Sequence, residues 1–252
     1  MKPYILITND DGFQAKGINV LTELMAEIGE VIVVAPDGPR SATSNALTIN
    51  QPLRHKLLKK SENVTWYACT GTPTDCVKLA FNALIDRKPD LLVSGINHGS
   101  NSAINVIYSG TMGAVLEGCA YGVPSVGFSL CDHSAGADFT DFAPYITKIT
   151  EQALKNGLPD GTCLNVNAPV GKIAGMRVVR QCKGNWIEEF EQRTDPAGRD
   201  YFWLTGKYDN KEPQAPDTDE WALANGYVSI VPTKIDLTAH NFIEILSKQF
   251  SE

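Results

Sequence analysis

Oxygen-bearing side chains are concentrated in three polar segments of the sequence, residues 9–12, 40–45 and 95–101. The first segment contains two adjacent carboxylates, Asp10 and Asp11, and the other two supply hydroxyls and asparagine amides. Neighbouring carboxylates repel each other, and a hard divalent cation is the usual way to hold such a pair. An all-oxygen donor set suits Mg²⁺, Mn²⁺ or Ca²⁺ and argues against zinc, which prefers His and Cys. Taken alone, the Asp pair is equally typical of a turn whose side chains accept backbone hydrogen bonds.

A fourth segment, Ser109-Gly110-Thr111, precedes apolar residues at helical spacing. Such a helix start exposes free backbone N–H groups beside hydroxyls and can bind an anion. Ser109 and Thr111 could also be ordinary helix caps, and capping does not exclude contact with a phosphate. A phosphate beside a divalent cation would permit metal-assisted phosphoryl hydrolysis, in which the ion polarises the phosphate and activates water.

The elements that must position these segments alternate between strand and helix patterns. Short apolar runs at 4–8, 31–35 and 90–94 are typical of buried strands, and amphipathic helix patterns lie between the strands. This alternation predicts an α/β fold with a mostly parallel sheet and helices on both faces. Each of the three polar segments follows a strand, and in a doubly wound sheet these loops converge on one edge, where ligands bind. We therefore expect the polar segments to form one site.

The second half of the chain has a different pattern, with strand signals that follow one another and few helices between them. We assign residues 1–180 and 221–252 to the core and residues 181–220 to a projecting β extension built of hairpins. Tyr201-Phe202-Trp203 on this extension suits burial against another subunit, and burial within its own domain fits comparably well. A short amphipathic helix pattern that includes residues 242–246 ends the chain.

The composition excludes several classes of protein. With 252 residues, of which 43% are hydrophobic and 20% charged, the chain suits one large globular domain or one domain with a smaller elaboration. A net charge of −7 without a basic stripe argues against a nucleic-acid duplex or an anionic membrane as partner. No window approaches the roughly 18 apolar residues of a membrane span. There is no leader-like N-terminus and no Cys-x-x-Cys pair, so we expect a cytoplasmic protein with reduced thiols.

The motifs of three common enzyme classes are missing from the sequence. There is no Gly-x-x-x-x-Gly-Lys-[Ser/Thr] phosphate loop, no Gly-x-Gly-x-x-Gly dinucleotide turn and no Gly-x-Ser-x-Gly elbow. An NTPase, a nicotinamide dehydrogenase and a serine esterase are therefore disfavoured.

Five blocks of the sequence together resemble the SurE (survival protein E) family. They are ILITNDDG at 5–12, RSATS at 40–44, GTPTDCV at 71–77, SGINHGSN at 94–101 and YSGTMGA at 108–114, and NVNAP at 165–169 continues the match. The resemblance implies a metal-dependent 5′/3′-nucleotidase that acts on nucleoside monophosphates. It also implies a Rossmann-like core with a C-terminal oligomerisation arm, in a homodimer or homotetramer.

The resemblance also implies roles for individual positions. The ligands of one divalent ion per subunit, Mg²⁺ or Mn²⁺ with Ca²⁺ possible in crystals, would be Asp10, Asp11, Ser41 and Asn97, and the catalytic carboxylates would be Asp10 and Asp11. Residues around the phosphate would be Asn9, Ser44, Asn101, Ser109, Gly110 and Thr111. Water would attack phosphorus in line. The second half of the chain matches only weakly, so it does not determine base preference or assembly state.

Several alternatives stay open at this point. The protein could bind a metal–nucleotide complex without turnover, or transfer a sugar from a nucleotide-sugar donor at an Asp-Asp metal site, or serve mainly through its β extension. Ser41 could serve only as a cap or in a turn, and Asn97 could only brace its loop. His98 could brace the same loop or act as a general acid. Asp75 fits a helix start better than a catalytic base.

Overall fold

The structure, a computed structural model, describes residues 2–251 of the chain. The strands are β1 Tyr4–Thr8, β2 Glu30–Pro36, β3 His55–Lys60, β4 Val64–Cys69, β5 Leu91–His98, β6 Ser125–Leu130, β7 Thr162–Ala168, β8 Gly175–Val178, β9 Gly184–Ile187, β10 Phe190–Thr194, β11 Asp200–Leu204, β12 Lys207–Asn210 and β13 Tyr227–Lys234. The α-helices are α1 Lys16–Ile28, α2 Pro73–Leu79, α3 Gly110–Ala120, α4 Ala143–Asn156, α5 Asp219–Ala224 and α6 His240–Phe250. A π-helical turn, Ala80–Leu84, continues α2, and a 3₁₀ turn, Ala103–Ile107, precedes α3.

A nine-stranded sheet forms the centre of the molecule, in the order β3-β4-β2-β1-β5-β6-β7-β13-β8. The six strands from β4 to β7 in this order are parallel. Strand β3 pairs antiparallel with β4, and β13 pairs antiparallel with β7 and parallel with β8. The predicted α/β fold with a mostly parallel sheet is therefore confirmed.

Helices cover both faces of the sheet, and this explains the continuous apolar runs of its central strands. Ile5 and Ile7 of β1 pack in the cluster that includes α1 and α4, whereas Leu6 between them packs with residues of α2 and α3. All three side chains are fully buried. Because successive side chains of a strand point to opposite faces, a strand covered on both sides has to be apolar throughout.

Local signals in the sequence determine where the helices begin and end. Helix α1 stops at Gly29, and α4 stops at Gly157, whose φ of 67° is a left-handed conformation that favours glycine. Helix α2 begins with a capping box, in which the Thr72 side chain accepts a hydrogen bond from Asp75 N and the Asp75 carboxylate accepts one from Thr72 N. This capping box confirms the predicted helix-start role of Asp75. The Asp75 carboxylate also accepts a hydrogen bond from Thr48 N.

Strand β5 differs from the sequence prediction. The apolar run predicts a strand over 90–94 with a loop after it, but β5 continues to His98. Its pairing with β6 shifts register between Ser94 and Asn97, so one irregularity interrupts the strand without ending it. Gly95 lies in this interval with a φ of 129°, a conformation that few other residues adopt. Asn97 is consequently on a paired strand and not in a free loop.

The predicted C-terminal hairpins are present, since β9 pairs with β12 and β10 pairs with β11. Every residue of β10 and β11 is exposed, including Phe190, Phe202 and Trp203, and no residue of α6 is buried. Helix α5 packs against β13 of the central sheet. The boundaries of core and extension at 180 and 220 stay a prediction. Of the helices in residues 2–251, none has the length and apolar character needed to cross a membrane.

Candidate active site

The candidate site lies where the strand order of the sheet reverses. From β1 the chain moves outwards through β2 and β4 on one side, and later through β5, β6 and β7 on the other. At such a switch point the loops after the two central strands part and leave a crevice at the carboxyl edge. Asp10 and Asp11 follow β1, and Asn97 lies near the end of β5, so all three are at this crevice. The backbone N–H of Arg40 donates to the Asp10 carbonyl oxygen over 2.6 Å and brings the segment after β2 to the same place.

A cavity of about 790 Å³ opens at this edge, within the range of roughly 300–1,000 Å³ that is typical of small-molecule sites. Six predicted residues line this cavity: Asp10, Asp11, Ser41, Asn97, Asn101 and Ser109. Four separate parts of the chain therefore meet around one space, as the ordering of the polar segments predicts.

Two of the predicted phosphate residues, Asn9 and Ser44, are not part of the cavity lining. Asn9 is fully buried, and its amide donates to the Gly12 carbonyl over 3.0 Å, which braces the turn that carries the Asp pair. The Ser44 hydroxyl donates to the Ile107 carbonyl over 2.7 Å, so it ties its loop to the 3₁₀ turn. Direct contact of either residue with a phosphate stays a prediction.

Gly110 and Thr111 stand behind the cavity wall, in the first turn of α3. The Thr111 hydroxyl donates to Asp10 Oδ1 over 2.5 Å. A β-carbon at position 110 would lie 2.8 Å from the Asp10 β-carbon, so glycine lets the helix approach this closely. The positive end of the α3 dipole thus faces the Asp10 carboxylate. Contact of these two residues with phosphate stays a prediction, whereas their contact with Asp10 is a feature of the structure.

The two carboxylates carry charge that the protein does not neutralise. Burial raises the pKa of Asp10 to about 6, and the Thr111 hydrogen bond opposes this rise. Burial also raises the pKa of Asp11, against the effect of the His98 backbone N–H, which donates to Asp11 Oδ2 over 3.2 Å. In residues 2–251 neither carboxylate forms an ion pair, and no lysine or arginine lines the cavity. Two neighbouring carboxylates in this setting suit a bound cation.

The donor set at the cavity fits a hard divalent metal ion. It consists of the Asp10 and Asp11 carboxylates, the Ser41 hydroxyl and the Asn97 amide. The Asn97 nitrogen donates to the Gly99 carbonyl over 2.8 Å, which leaves the amide oxygen as the end available to a ligand. Within the described part of the chain, no three His, Cys, Asp or Glu side chains are grouped to hold a metal. The neutral oxygens of Ser41 and Asn97 would thus complete the coordination shell. Mg²⁺ and Mn²⁺ accept such oxygen ligands, whereas zinc prefers His and Cys.

Asn101 is held from three sides by a buried polar network. Its backbone N–H donates to Asn167 Oδ1 over 2.8 Å, and its carbonyl accepts from Asn165 Nδ2 over 2.8 Å. Asn167 Nδ2 donates in turn to Asn165 Oδ1, and Asn101 Nδ2 donates to the Ser129 hydroxyl over 2.9 Å. Because Asn101 lines the cavity, its second amide hydrogen is left to donate to a ligand. The Asn165 and Asn167 roles are absent from the sequence interpretation, although the NVNAP run contains the signal.

Ser109 combines helix capping with access to the cavity. Its hydroxyl oxygen accepts from Met112 N over 3.0 Å, and the residue is the N-cap of α3. The hydroxyl hydrogen is left to donate to a bound anion. Capping and anion binding are therefore compatible in this geometry.

His98 braces its loop. One ring nitrogen, Nδ1, lies 2.8 Å from the Ser134 carbonyl oxygen, and the ring packs edge-on against Phe139 with 5.3 Å between centroids. His133 is exposed and lines the cavity. The loop-bracing interpretation of His98 accounts for these contacts.

The sequence interpretation misses the contribution of the β extension to this cavity. Trp186 of β9, Tyr208 of β12 and Glu220 of α5 all lie among its lining residues. The indole N–H of Trp186 donates to Asn105 Oδ1 over 2.8 Å and docks the hairpin on the 3₁₀ turn. No local pattern could reveal this, because the contact joins residues 81 positions apart.

Comparison with known proteins identifies the family of this chain. The family model described as "Survival protein SurE" matches residues 5–188. A protein of Phocaeicola vulgatus named 5′-nucleotidase SurE is 52% identical over 246 residues, which cover 97% of this chain and 96% of that protein. A protein of Christiangramia forsetii with the same name is 55% identical over 251 residues, or 98% and 96% of the two chains. The crystal structure of the Sure protein from Aquifex aeolicus is 35% identical with a TM-score of 0.85, covering 99% of this chain and 100% of that one. The chain therefore belongs to the SurE family.

Proposed function

We propose that this protein is a nucleotidase that releases phosphate from nucleoside 5′- and 3′-monophosphates. The observation that carries the proposal is the uncompensated pair Asp10 and Asp11, set in one cavity with the polar donors Asn101 and Ser109 at the switch point of the sheet. The names of the two relatives, both 5′-nucleotidase SurE, support the same activity.

A single divalent ion, Mg²⁺ or Mn²⁺, belongs to this proposal, held by Asp10, Asp11, Ser41 and Asn97. When bound, such an ion supplies a Lewis acid for the phosphate oxygens and lowers the pKa of a bound water. The carboxylate pair provides the charge for its binding, and the Thr111 hydroxyl fixes the orientation of Asp10.

The protein's own groups orient the phosphate and move the proton. The Ser109 hydroxyl and the free amide hydrogen of Asn101 donate to phosphate oxygens, where charge builds up during the reaction. Water attacks phosphorus in line with the ester oxygen, and a carboxylate of the Asp pair accepts the proton of the water. The bond from phosphorus to the ester oxygen breaks as the new bond to the water oxygen forms, and the nucleoside leaves as an alcohol after taking up a proton.

A phosphate-release assay over 5′- and 3′-nucleoside monophosphates tests the proposal. We expect release with Mg²⁺ or Mn²⁺, loss of release with a chelator, and recovery when excess metal is restored. Nucleotide binding without phosphate release would instead indicate a metal–nucleotide sensor. Sugar transfer with release of nucleotide from a nucleotide-sugar would indicate a glycosyltransferase.

Assembly and location are further parts of the proposal. We propose a homodimer or homotetramer, because β10, β11 and α6 leave large apolar side chains exposed on one chain. Sedimentation at micromolar concentration is expected to give two or four times the chain mass of 27.4 kDa, and a stable monomer would contradict this. We also propose a cytoplasmic location, which the six free cysteines support.

A further inference from the structure

The part of the cavity lining that the β extension contributes is aromatic. Trp186 and Tyr208 are direct cross-strand partners in the β9–β12 hairpin. Partners in an antiparallel pair project from the same face of a sheet, so the two aromatic side chains lie on one face of the hairpin. Both line the cavity that contains Asp10 and Asp11.

Trp186 turns its polar edge towards the protein. Its N–H donates to Asn105 Oδ1, and Asn105 belongs to the 3₁₀ turn that connects Asn101 with Ser109. This hydrogen bond fixes the position of the indole relative to Asn101 and Ser109, the residues proposed to bind the phosphate. With its donor occupied, the indole has only ring carbons to offer a ligand.

Tyr208 likewise keeps its hydroxyl away from the cavity. The hydroxyl oxygen is inaccessible and lies beside the Cys182 side chain, although the residue lines the cavity. Gly184 makes room for it, because a β-carbon there would overlap the Tyr208 hydroxyl. The accessible part of Tyr208 is therefore its ring.

We propose that the Trp186–Tyr208 pair is the platform on which the base of the nucleotide stacks. This inference rests on the proposed function and adds to it the group that recognises the nucleoside. Stacking on an aromatic side chain tolerates any base, since every base has a π-face. The platform offers no polar group to read a base edge, so it accepts purines and pyrimidines alike.

The ratio of kcat/KM for AMP to kcat/KM for ribose 5-phosphate, which lacks the base, tests the platform. In Trp186→Ala this ratio is expected to fall about 5- to 150-fold, the range that loss of one stacking aromatic produces. Trp186→Phe keeps an aromatic ring and should restore most of the ratio. Trp66→Phe is the matched control for Trp186→Phe, because Trp66 lies on β4, outside both the cavity lining and the surfaces proposed to contact another copy.

Tryptophan fluorescence gives a second readout that does not need turnover. AMP is expected to quench the emission of the wild-type protein more than ribose 5-phosphate does, and Trp186→Phe should abolish the difference. Two results would overturn the platform. One is an equal loss of kcat/KM for both substrates in Trp186→Ala, and the other is an undiminished difference in quenching between AMP and ribose 5-phosphate in Trp186→Phe. A wild-type protein that shows the quenching but releases no phosphate would refute the nucleotidase proposal and leave the platform supported.

Discussion

Asp10→Asn is expected to lower kcat for phosphate release from nucleoside monophosphates by at least about 100-fold. Removing a group that only supports a metal ligand lowers metal affinity or activity about 10- to 100-fold. Loss of a charged ligand itself should lower activity more. Asp10 is only 4% exposed and lies beside Asp11, which makes it central to the charge of the cavity. We expect Asp11→Asn to have a similar effect for the same reason.

The fold should survive the Asp10 substitution. An asparagine oxygen can still accept the Thr111 hydrogen bond, and a neutral amide is less costly to bury than a carboxylate without a cation. The melting temperature without metal is therefore expected to stay the same or rise. Asp141→Asn, at an exposed position outside the cavity lining, serves as the control and should keep full activity. Full activity of Asp10→Asn at saturating Mn²⁺ would refute the proposed role.

Gly17→Ala is expected to destabilise the protein by about 2–3 kcal/mol, at the upper end of the cost of overpacking a core. Helix α1 crosses β5 so closely at Gly17 that an added β-carbon would overlap the carbonyl oxygen of Ile96. This neighbour is backbone, which cannot rotate away as a flexible side chain could. The helix therefore has to move away from the sheet. Because Ile96 directly precedes the proposed metal ligand Asn97, we expect the rate of phosphate release to fall as well.

Equilibrium unfolding in urea measures this loss, as a lower midpoint with an unchanged slope. Gly136→Ala is the matched control, because a β-carbon at Gly136 would meet nothing within 4 Å. Substitutions at such open surface positions usually change stability by less than about 0.5 kcal/mol. A midpoint of Gly17→Ala equal to that of Gly136→Ala would show that α1 and β5 can separate without cost.

Much of the core could be predicted from the sequence because its signals are local. The run Tyr4 to Thr8 is apolar enough for a strand buried on both faces, and it is β1 in the structure. Gly29 and Gly157 end helices where the apolar periodicity stops. The order of strands then brings the polar segments to one edge, since parallel strands end on the same side. Asp10 and Ser41 meet in this way although 31 positions separate them.

Other features depend on contacts between distant parts of the chain and have no local signal. The extension of β5 to His98 follows from renewed pairing with β6 beyond the irregularity at Gly95. The hydrogen bonds from Asn165 and to Asn167 that hold Asn101 exist only because β7 lies in the same sheet as β5, with β6 between them.

The same distinction applies to the site as a whole. Residue types and the alternation of strands and helices by themselves determined the fold class and that the polar segments after β1, β2 and β5 share one rim, because both follow from the period of the apolar pattern. Only the tertiary structure decided that Thr111 contacts Asp10 and that the hairpin bearing Trp186 folds back over the cavity. The physical reason is that hydrogen bonds and ring contacts depend on the relative placement of whole elements, which packing sets and residue spacing does not encode.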